Sequence, residues 1–305
     1  MKLAVLMSTY NGEKYLREQI DSIIHQKTDI DMDLIVRDDG SSDSTKKILE
    51  EYACSGKLSY TEGENVGPAK GFLTLLRDHP GYDFYAFSDQ DDVWHEDKIQ
   101  NGINAIQDIK GPALYCTNGE LVDSELRSIG VNVHRKKPTN TLESSLCLAF
   151  IAQGCTSVFN KELARMIQEN PLPKTMIMHD TFMTCLCGLI GGKVIYDDVP
   201  SMKYRMHGGN CCGEVYARQD VKSILRDRID EIFKRKNISA YAQAESILET
   251  YKEFIPEKNR RLCEVVISSK NNLLSRFKLV FNKNLRNHTL SGTISKKLEI
   301  LFGKD

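Results

Sequence analysis

Phe84-Tyr85-Ala86-Phe87-Ser88-Asp89-Gln90-Asp91-Asp92-Val93-Trp94 is the stretch on which the reading of this chain turns. Residues 84–87 suit a strand buried on both faces, and they run straight into three carboxylates. Carboxylates crowded at the C-terminal end of a strand repel one another and raise each other's pKa unless a cation sits among them. Asp89, Asp91 and Asp92 therefore predict a hard divalent cation, Mg or Mn. One or two of them would hold it, leaving its other positions to water and substrate phosphate. From about Trp94 a helix is expected, with Glu96 and Asp97 in its first turn where the macrodipole favours acids. The plainer alternative is a polar turn that caps this helix.

Upstream, the same pattern recurs. Residues 3–7 are a short apolar run ending in Ser8-Thr9-Tyr10-Asn11-Gly12, and residues 13–26 carry apolar side chains at helical spacing. Residues 33–37 read as a second strand that stops at Asp38-Asp39-Gly40-Ser41-Ser42, with Ser42 or Asp43 as the next N-cap. A short third strand over 57–61 follows, then Asn65-Val66-Gly67-Pro68 opens a helix to about Asp78, and the fourth strand covers 82–87. Strands alternating with helices across short connections predict an α/β fold, a parallel sheet with helices on both faces. Ligands of such sheets lie beyond the carboxyl ends of the strands. The polar motifs after the first, second and fourth strands all fall there. Three in register argue for one site.

Downstream the pattern is less regular. Strands are expected over 113–122 and 154–159, a polar loop able to act as a lid over 135–140, and a helix over 161–169. Pro171 and Pro173 mark a break, after which Met178-His179-Asp180 opens an apolar helix to about Leu189. Residues 194–196 and 202–206 read as strands, closed by His207-Gly208-Gly209-Asn210. From about Val215 the pattern is helical and charged, and no internal repeat is present.

At 305 residues the chain has room for one large domain with an appendage, or for two domains. The formal charge of −1 speaks against a nucleic-acid partner. It hides an asymmetry: residues 256–305 hold eleven Lys/Arg against four Asp/Glu, near +7, which leaves the remainder near −8. Nine scattered cysteines form no disulfide framework, and Lys2 leads directly into the first strand rather than into a signal peptide. The expectation is a reducing, cytoplasmic compartment. No stretch approaches the roughly 20 apolar residues of a membrane span.

Ser8-Thr9-Tyr10-Asn11, Arg37-Asp38-Asp39-Gly40-Ser41-Ser42-Asp43, Asn65-Val66-Gly67, Ser88-Asp89-Gln90-Asp91-Asp92-Val93-Trp94, His179-Asp180 and Tyr204-Arg205-Met206-His207 occur in the order seen in family 2 glycosyltransferases. Over about residues 1–212 the chain resembles an inverting, nucleotide-sugar-dependent enzyme of the GT-A fold, and more narrowly the bacterial rhamnosyltransferase-like subgroup. The resemblance implies a catalytic domain over 1–214, with a nucleotide-sugar half to about residue 110 and an acceptor half beyond it. A helical C-terminal region over 215–305 completes the chain.

It implies roles as well. Thr9, Tyr10 and Glu13 would lie near the nucleoside, and Asp39, with Asp38 beside it, would accept the N3–H of uracil or thymine. Asn65, Gly67 and Lys70 would sit by the nucleoside and its phosphates. Asp89 and Asp91 would form the metal motif, with Asp91 the direct ligand, Asp92 its neighbour and Asp89 also toward the donor. His207 would reach the metal or the diphosphate from the far side, and Asp180 would be the catalytic base. The expected donor is dTDP-rhamnose, with a UDP-hexose as the alternative because both bases present the same N3–H. The expected acceptor is a hydroxyl of a bacterial surface polysaccharide or a lipid-linked glycan.

The chemistry is coherent with those roles. A diphosphate leaving group gathers negative charge as the sugar bond breaks, which a divalent cation stabilises. Inversion needs one carboxylate beside the acceptor hydroxyl, whereas retention would need a second as nucleophile. At a helix start the dipole is expected to keep Asp180 ionised. Each residue also has a plainer reading: Asp180 as an N-cap, Asp38 and Asp39 as turn formers, His207 as a surface turn, Lys70 as a solvated side chain. Trp94 reads as packing on the sheet more than as stacking on a sugar. Cys185 and Cys187 point to different helix faces, which argues against zinc with Cys211 and Cys212. A glycine-rich phosphate loop, as nucleotidyl transfer would want, is missing from residues 8–12. A non-catalytic sugar-nucleotide scaffold is the remaining rival. In the basic tail, Leu273, Leu274, Phe277, Leu279, Val280 and Phe281 alternate with Arg276, Lys278 and Lys283. Such a helix would lie on an anionic membrane at the inner face of the cell, or pack on the catalytic domain.

Overall fold

The computed structural model describes residues 1–150, 152–207 and 239–302. β1 (Lys2–Thr9) shows how the core is built, because its side chains alternate between two apolar clusters. Ala4 and Leu6 enter one cluster, while Leu3, Val5 and Met7 enter the other. A strand buried on both faces needs a continuous apolar run, and this one has it.

The chain continues through α1 (Leu16–Ile24), β2 (Asp31–Asp38), α2 (Thr45–Cys54), β3 (Ser59–Glu62), α3 (Pro68–Asp78) and β4 (Phe84–Ser88). These give parallel pairs β1–β2, β1–β4 and β2–β3. Thr9 pairs with Asp38 and Met7 with Ser88, so the polar turns after β1, β2 and β4 leave the sheet at one edge. Gly67, at φ 78°, turns the chain into α3, and Pro68 at the first helical position supplies a preset φ where no N–H is needed.

Next come β5 (Val93–Trp94), α4 (Lys98–Ile106), β6 (Ala113–Val122), β7 (Ser128–Asn132), α5 (Leu142–Leu146), β8 (Val158–Asn160), α6 (Lys161–Gln168), α7 (His179–Leu189) and β9 (Lys193–Arg205). Among the described residues the sheet order is β3-β2-β1-β4-β8-β6-β9-β5, with β7 on β6. The N-terminal half of the sheet is parallel and the other half is mixed, since β8 runs antiparallel to both β4 and β6.

Three expectations are corrected. The helix expected from Trp94 begins at Lys98, because Val93 and Trp94 extend and pair with Lys203 and Met202. The strands expected at 194–196 and 202–206 are one, β9; shifts of register opposite Thr117, Asn118 and Glu120 absorb Pro200. The strand expected at 154–159 starts with a 3₁₀ turn, Gly154–Thr156, before β8. β7 was not expected from the sequence, although Ile129 and Val131 alternate with Ser128, Gly130 and Asn132 as in a short half-exposed strand.

After residue 238 the chain is helical: α8 (Ala240–Tyr251), α9 (Glu257–Ser269), α10 (Leu273–Val280) and α11 (Leu290–Phe302). Tyr241, Ala244, Ile247, Tyr251, Cys263 and Val266 join the same apolar cluster as Phe182 and Leu186 of α7. α8 also fixes the segment before α7, since Ser246 Oγ accepts the Thr175 N–H (3.1 Å) and Gln243 Oε1 the Ile177 N–H (2.9 Å). Gly208, Gly209, Asn210, Cys211, Cys212 and the start of the helical tail at Val215 lie outside the described residues.

Candidate active site

The turn after β2 is knitted by a carboxylate. Asp38 is fully buried; its Oδ1 accepts Thr9 Oγ1 (3.0 Å) and the Ser41 hydroxyl, and its Oδ2 accepts the Ser41 N–H (2.8 Å). Asp38 and Thr9 thus hold the ends of β1 and β2 together. Asp39 faces the other way. Its Oδ2 accepts the N–H groups of Val66 and Gly67, each at 2.9 Å, which brings the Asn65-Val66-Gly67 turn beside it. Its Oδ1 lies 3.0 Å from the Arg37 guanidinium but has no hydrogen-bond donor, although Asp39 is only 3 % exposed. A buried acceptor of that kind is costly unless something donates to it.

Around this turn, Asn65 Oδ1 accepts the Gly67 N–H (3.1 Å), and Lys70 is exposed in the first turn of α3. Glu13 accepts the Ser44 N–H through Oε2 (2.8 Å), capping α2. Tyr10 is exposed, and its backbone is clasped to the carboxylate loop by Gln90. Oε1 of Gln90 accepts the Tyr10 N–H (2.9 Å) and Nε2 donates to the Tyr10 carbonyl (3.0 Å). Gly12 makes room for this clasp: a Cβ there would lie 2.3 Å from Gln90 Oε1.

The carboxylates of the loop after β4 divide their partners. Asp91 Oδ2 is 2.8 Å from His207 Nε2, and the Asp91 carbonyl accepts from Arg205 Nε (2.8 Å). Asp92 is 1 % exposed; its Oδ1 accepts the Arg205 N–H (3.1 Å), while its Oδ2 has no hydrogen-bond partner. Donor atoms of Asp89, Asp92 and Cys155 lie within 4.8 Å of one another. Burial, then the charge of Asp91, pushes the Asp89 carboxyl up to about 7. Burial and the charges of Asp91 and Asp89 hold Asp92 well above the usual carboxylate range. An orphaned buried oxygen and mutually raised carboxyls are what oxygen ligands show before a hard cation neutralises them, so this loop fits a divalent ion.

Arg205 organises the loop from behind. It is 1 % exposed, and its guanidinium also donates to the Ser124 carbonyl (2.6 Å), pairs with Glu18 and lies 4.3 Å from the Tyr15 ring. Tyr15 in turn packs on the His207 ring at 4.8 Å. Neither Arg205 nor Gln90 was given a role on sequence grounds. Both stand inside quoted motifs, and that was the available signal.

Asp180 is the second residue of α7. The N-cap is Met178, so Asp180 does not cap the helix. Its Oδ1 accepts the Thr181 N–H (2.6 Å) and its Oδ2 the Gly154 N–H (3.3 Å). The expectation that the helix start keeps this carboxyl low is corrected, because burial outweighs both backbone bonds and pushes it to about 6. Its charge is close enough to Asp89 to raise that carboxyl further. His179 packs between Phe72 (4.3 Å) and Phe87 (5.2 Å), neither ring nitrogen has a hydrogen-bond partner, and burial holds it neutral by lowering it to about 3. Gly154 must be glycine, since a Cβ would lie 2.3 Å from His179 Nε2.

The family model described as glycosyl transferase family 2 matches residues 4–167. The dTDP-rhamnosyl transferase RfbG of Shigella flexneri is 32% identical over 222 residues, covering 68% of this chain and 73% of that one. The uncharacterized glycosyltransferase RP339 of Rickettsia prowazekii is 31% identical over 159 residues, 50% of this chain and 48% of its own. Among solved structures, Staphylococcus aureus TarS 1-349 in complex with UDP-GlcNAc superposes with a TM-score of 0.55 at 17% identity, covering 99% of this chain and 91% of that one. That likeness speaks to the GT-A fold alone.

Proposed function

The chain belongs to glycosyl transferase family 2, and from that membership we propose that it moves rhamnose from dTDP-rhamnose, with inversion, to a hydroxyl of a bacterial surface polysaccharide or lipid-linked glycan. In this reading residues 1–110 hold the donor, residues 111–214 receive the acceptor, and the remainder forms appended helices. The relative named a dTDP-rhamnosyl transferase supports the choice of donor. Asp39 Oδ1, ion-paired with Arg37 at 3.0 Å but accepting no well-aligned hydrogen bond, supports a thymine or uracil base, whose N3–H it would take. Thr9, Tyr10, Asn65, Gly67 and Lys70 would line the nucleoside and its phosphates, and Glu13 would hold the adjoining turn through Ser44.

Asp89 and Asp91, with His207 behind Asp91, would hold Mg or Mn. When bound, the cation neutralises charge on the diphosphate. The single observation that carries the mechanism is Asp180: one carboxylate, off the metal loop yet within its electrostatic reach, raised by burial to about 6. A base titrating near there is ionised at neutral pH and still basic enough to take the proton of an attacking hydroxyl. Asp180 receives that proton while Gly154 and Thr181 keep its oxygens oriented.

The test is a donor panel with Mn or Mg: thermal shift, released nucleoside diphosphate, and the anomeric configuration of the product by NMR. Release of dTDP from dTDP-rhamnose with an inverted product supports the proposal. Response to a UDP-hexose alone replaces the donor and leaves the fold and base standing. A retained anomer would overturn the single-base mechanism.

A further inference from the structure

At the C-terminal end two neighbouring helices turn apolar stripes to solvent. On α10, Leu273, Leu274 and Phe277, with Phe281 just past its end, lie at spacings of one, four and eight residues, one face of a helix. Leu274 is 73% exposed and Phe281 80% exposed, and the Phe277 and Phe281 rings stack at 6.3 Å. On α11, Leu290, Ile294, Leu298 and Phe302 recur every four residues, with Leu290 78% and Phe302 68% exposed. Among the described residues the opposite faces are the ones that pack inward: Leu279, Leu285 and Ile300 are buried. Arg276 ties the two helices together by donating to the Ser269 and Leu301 carbonyls.

The charge around the stripes selects an occupant. Residues 265–302 carry seven Lys/Arg and a single acid, Glu299. Lys296 pairs with Glu299, and Arg276 and Lys297 donate to backbone carbonyls, while Lys270, Lys278, Lys283 and Arg286 are exposed. A second copy of this chain docking on the same face would set cations against cations, since a two-fold interface pairs like with like. An anionic, laterally extended surface that accepts side chains only a few ångströms deep meets both features. No helix among the described residues is long and apolar enough to cross a membrane, which leaves an interfacial attachment for these two.

We propose that α10 and α11 form a docking face for an anionic lipid bilayer, inserting Leu274, Phe281, Leu290 and Phe302 between headgroups that Lys278, Lys283 and Arg286 attract. The proposal deepens the reading of a lipid-linked acceptor and rests on it only for its purpose, because vesicle binding is measured without donor or acceptor.

The full chain is mixed with phosphatidylcholine vesicles, with or without phosphatidylglycerol, and sedimented. Binding is expected only with phosphatidylglycerol, and to fall at least about tenfold between 0.05 and 0.5 M salt as the Debye length shortens. Lys278→Glu with Lys283→Glu is expected to weaken it at least about tenfold, since each basic residue near such a surface is worth about fivefold. Leu274→Glu with Phe281→Glu is expected to abolish it, with circular dichroism and donor binding unchanged. Three results overturn the proposal. One is no sedimentation at low salt, and another is binding indifferent to both variant pairs. The third is a solution dimer that the apolar pair converts to monomer, which would assign the face to a second copy. Failure here with a positive donor panel leaves the transferase reading untouched.

Discussion

Replacing Asp180 by Asn keeps the shape of the side chain and removes its charge, and it is expected to make the protein nearly inactive and more stable at once. An ordinary aspartate ionises near 3.8, and burial moves this one to about 6. The folded chain therefore holds the proton more tightly than the unfolded chain. The stabilisation this gives is whole below about pH 3.8 and is lost as pH rises through about 6. Above that pH the ionised carboxylate costs the fold about 3 kcal/mol, at about 1.4 kcal/mol per pH unit of displacement. Two corrections reduce the gain. Asp180 keeps part of its surface in water, and an amide can accept only one of the two backbone N–H groups that the carboxylate accepts now, a loss of about 1 kcal/mol. The variant is thus expected to gain about 1–2 kcal/mol at pH 8, and nothing or a slight loss at pH 4.

Urea unfolding of both proteins at the two pH values measures this directly, and initial rates at saturating cation and donor measure the other half. The rate is expected to fall by at least about 100-fold, the lower range for loss of a positioned base. In the unsubstituted enzyme kcat/KM is expected to climb through about pH 6 and level off above it, following ionisation of Asp180. An Asp180→Asn protein that unfolds more easily at pH 8 would refute the burial argument, because the charge would then be stabilising. A rate within about threefold of the original would move the base elsewhere, whatever the stability.

Two further substitutions test the scaffold around the carboxylate loop. Arg205→Met removes the buried guanidinium that donates to the Asp91 and Ser124 carbonyls and pairs with Glu18, and should cost about 2–4 kcal/mol in urea unfolding, since it leaves two buried carbonyls without their donor; a loss under about 1 kcal/mol would mean that backbone pairing, including the Arg205 N–H to Asp92, keeps the loop by itself. Gly12→Ala drives a methyl group into Gln90 and should open the clasp to Tyr10, lowering donor affinity in calorimetry about tenfold with little change in melting temperature. In a Gln90→Ala background the same substitution should do almost nothing, and an additive double variant would show that Gly12 serves the backbone rather than the clasp.

The parallel half of the sheet was legible because buried parallel strands are written as apolar runs that stop abruptly at polar turns. That is true of residues 3–7, 33–37 and 82–87, and the register of β1 with β2 and β4 brings their ends to one edge. Trp94 was misread for a physical reason. Apolar residues before an acidic pair look like a helix start, and only an available strand edge on β9, about a hundred residues away, makes Val93 and Trp94 extend. Long-range partners hid the supporting residues as well. Gln90 matters through Tyr10 and Arg205 through Asp91, separations of 80 and 114 residues that no local pattern encodes. The question whether Asp180 caps its helix is settled by backbone geometry at Met178, again invisible in sequence. Its pKa escaped because a sequence displays the dipole and hides the burial.

Four neighbouring carboxylates are tolerated by the fold for a physical reason. Asp89, Asp91, Asp92 and Asp180 share one region, and their mutual repulsion opposes folding at neutral pH. Two buried cations offset part of it. Arg205 reaches the loop through Asp91 and Asp92, and Lys98 donates to the Cys155 carbonyl beneath Asp92, although burial has already lowered its own pKa to about 8. These cations are spent on backbone carbonyls and Glu18, so they orient the loop without pairing directly with its carboxylates. The mutual repulsion of the carboxylates therefore stays partly unrelieved, and a bound cation would relieve it. Ligands that relieve it should stabilise the protein in proportion to their occupancy.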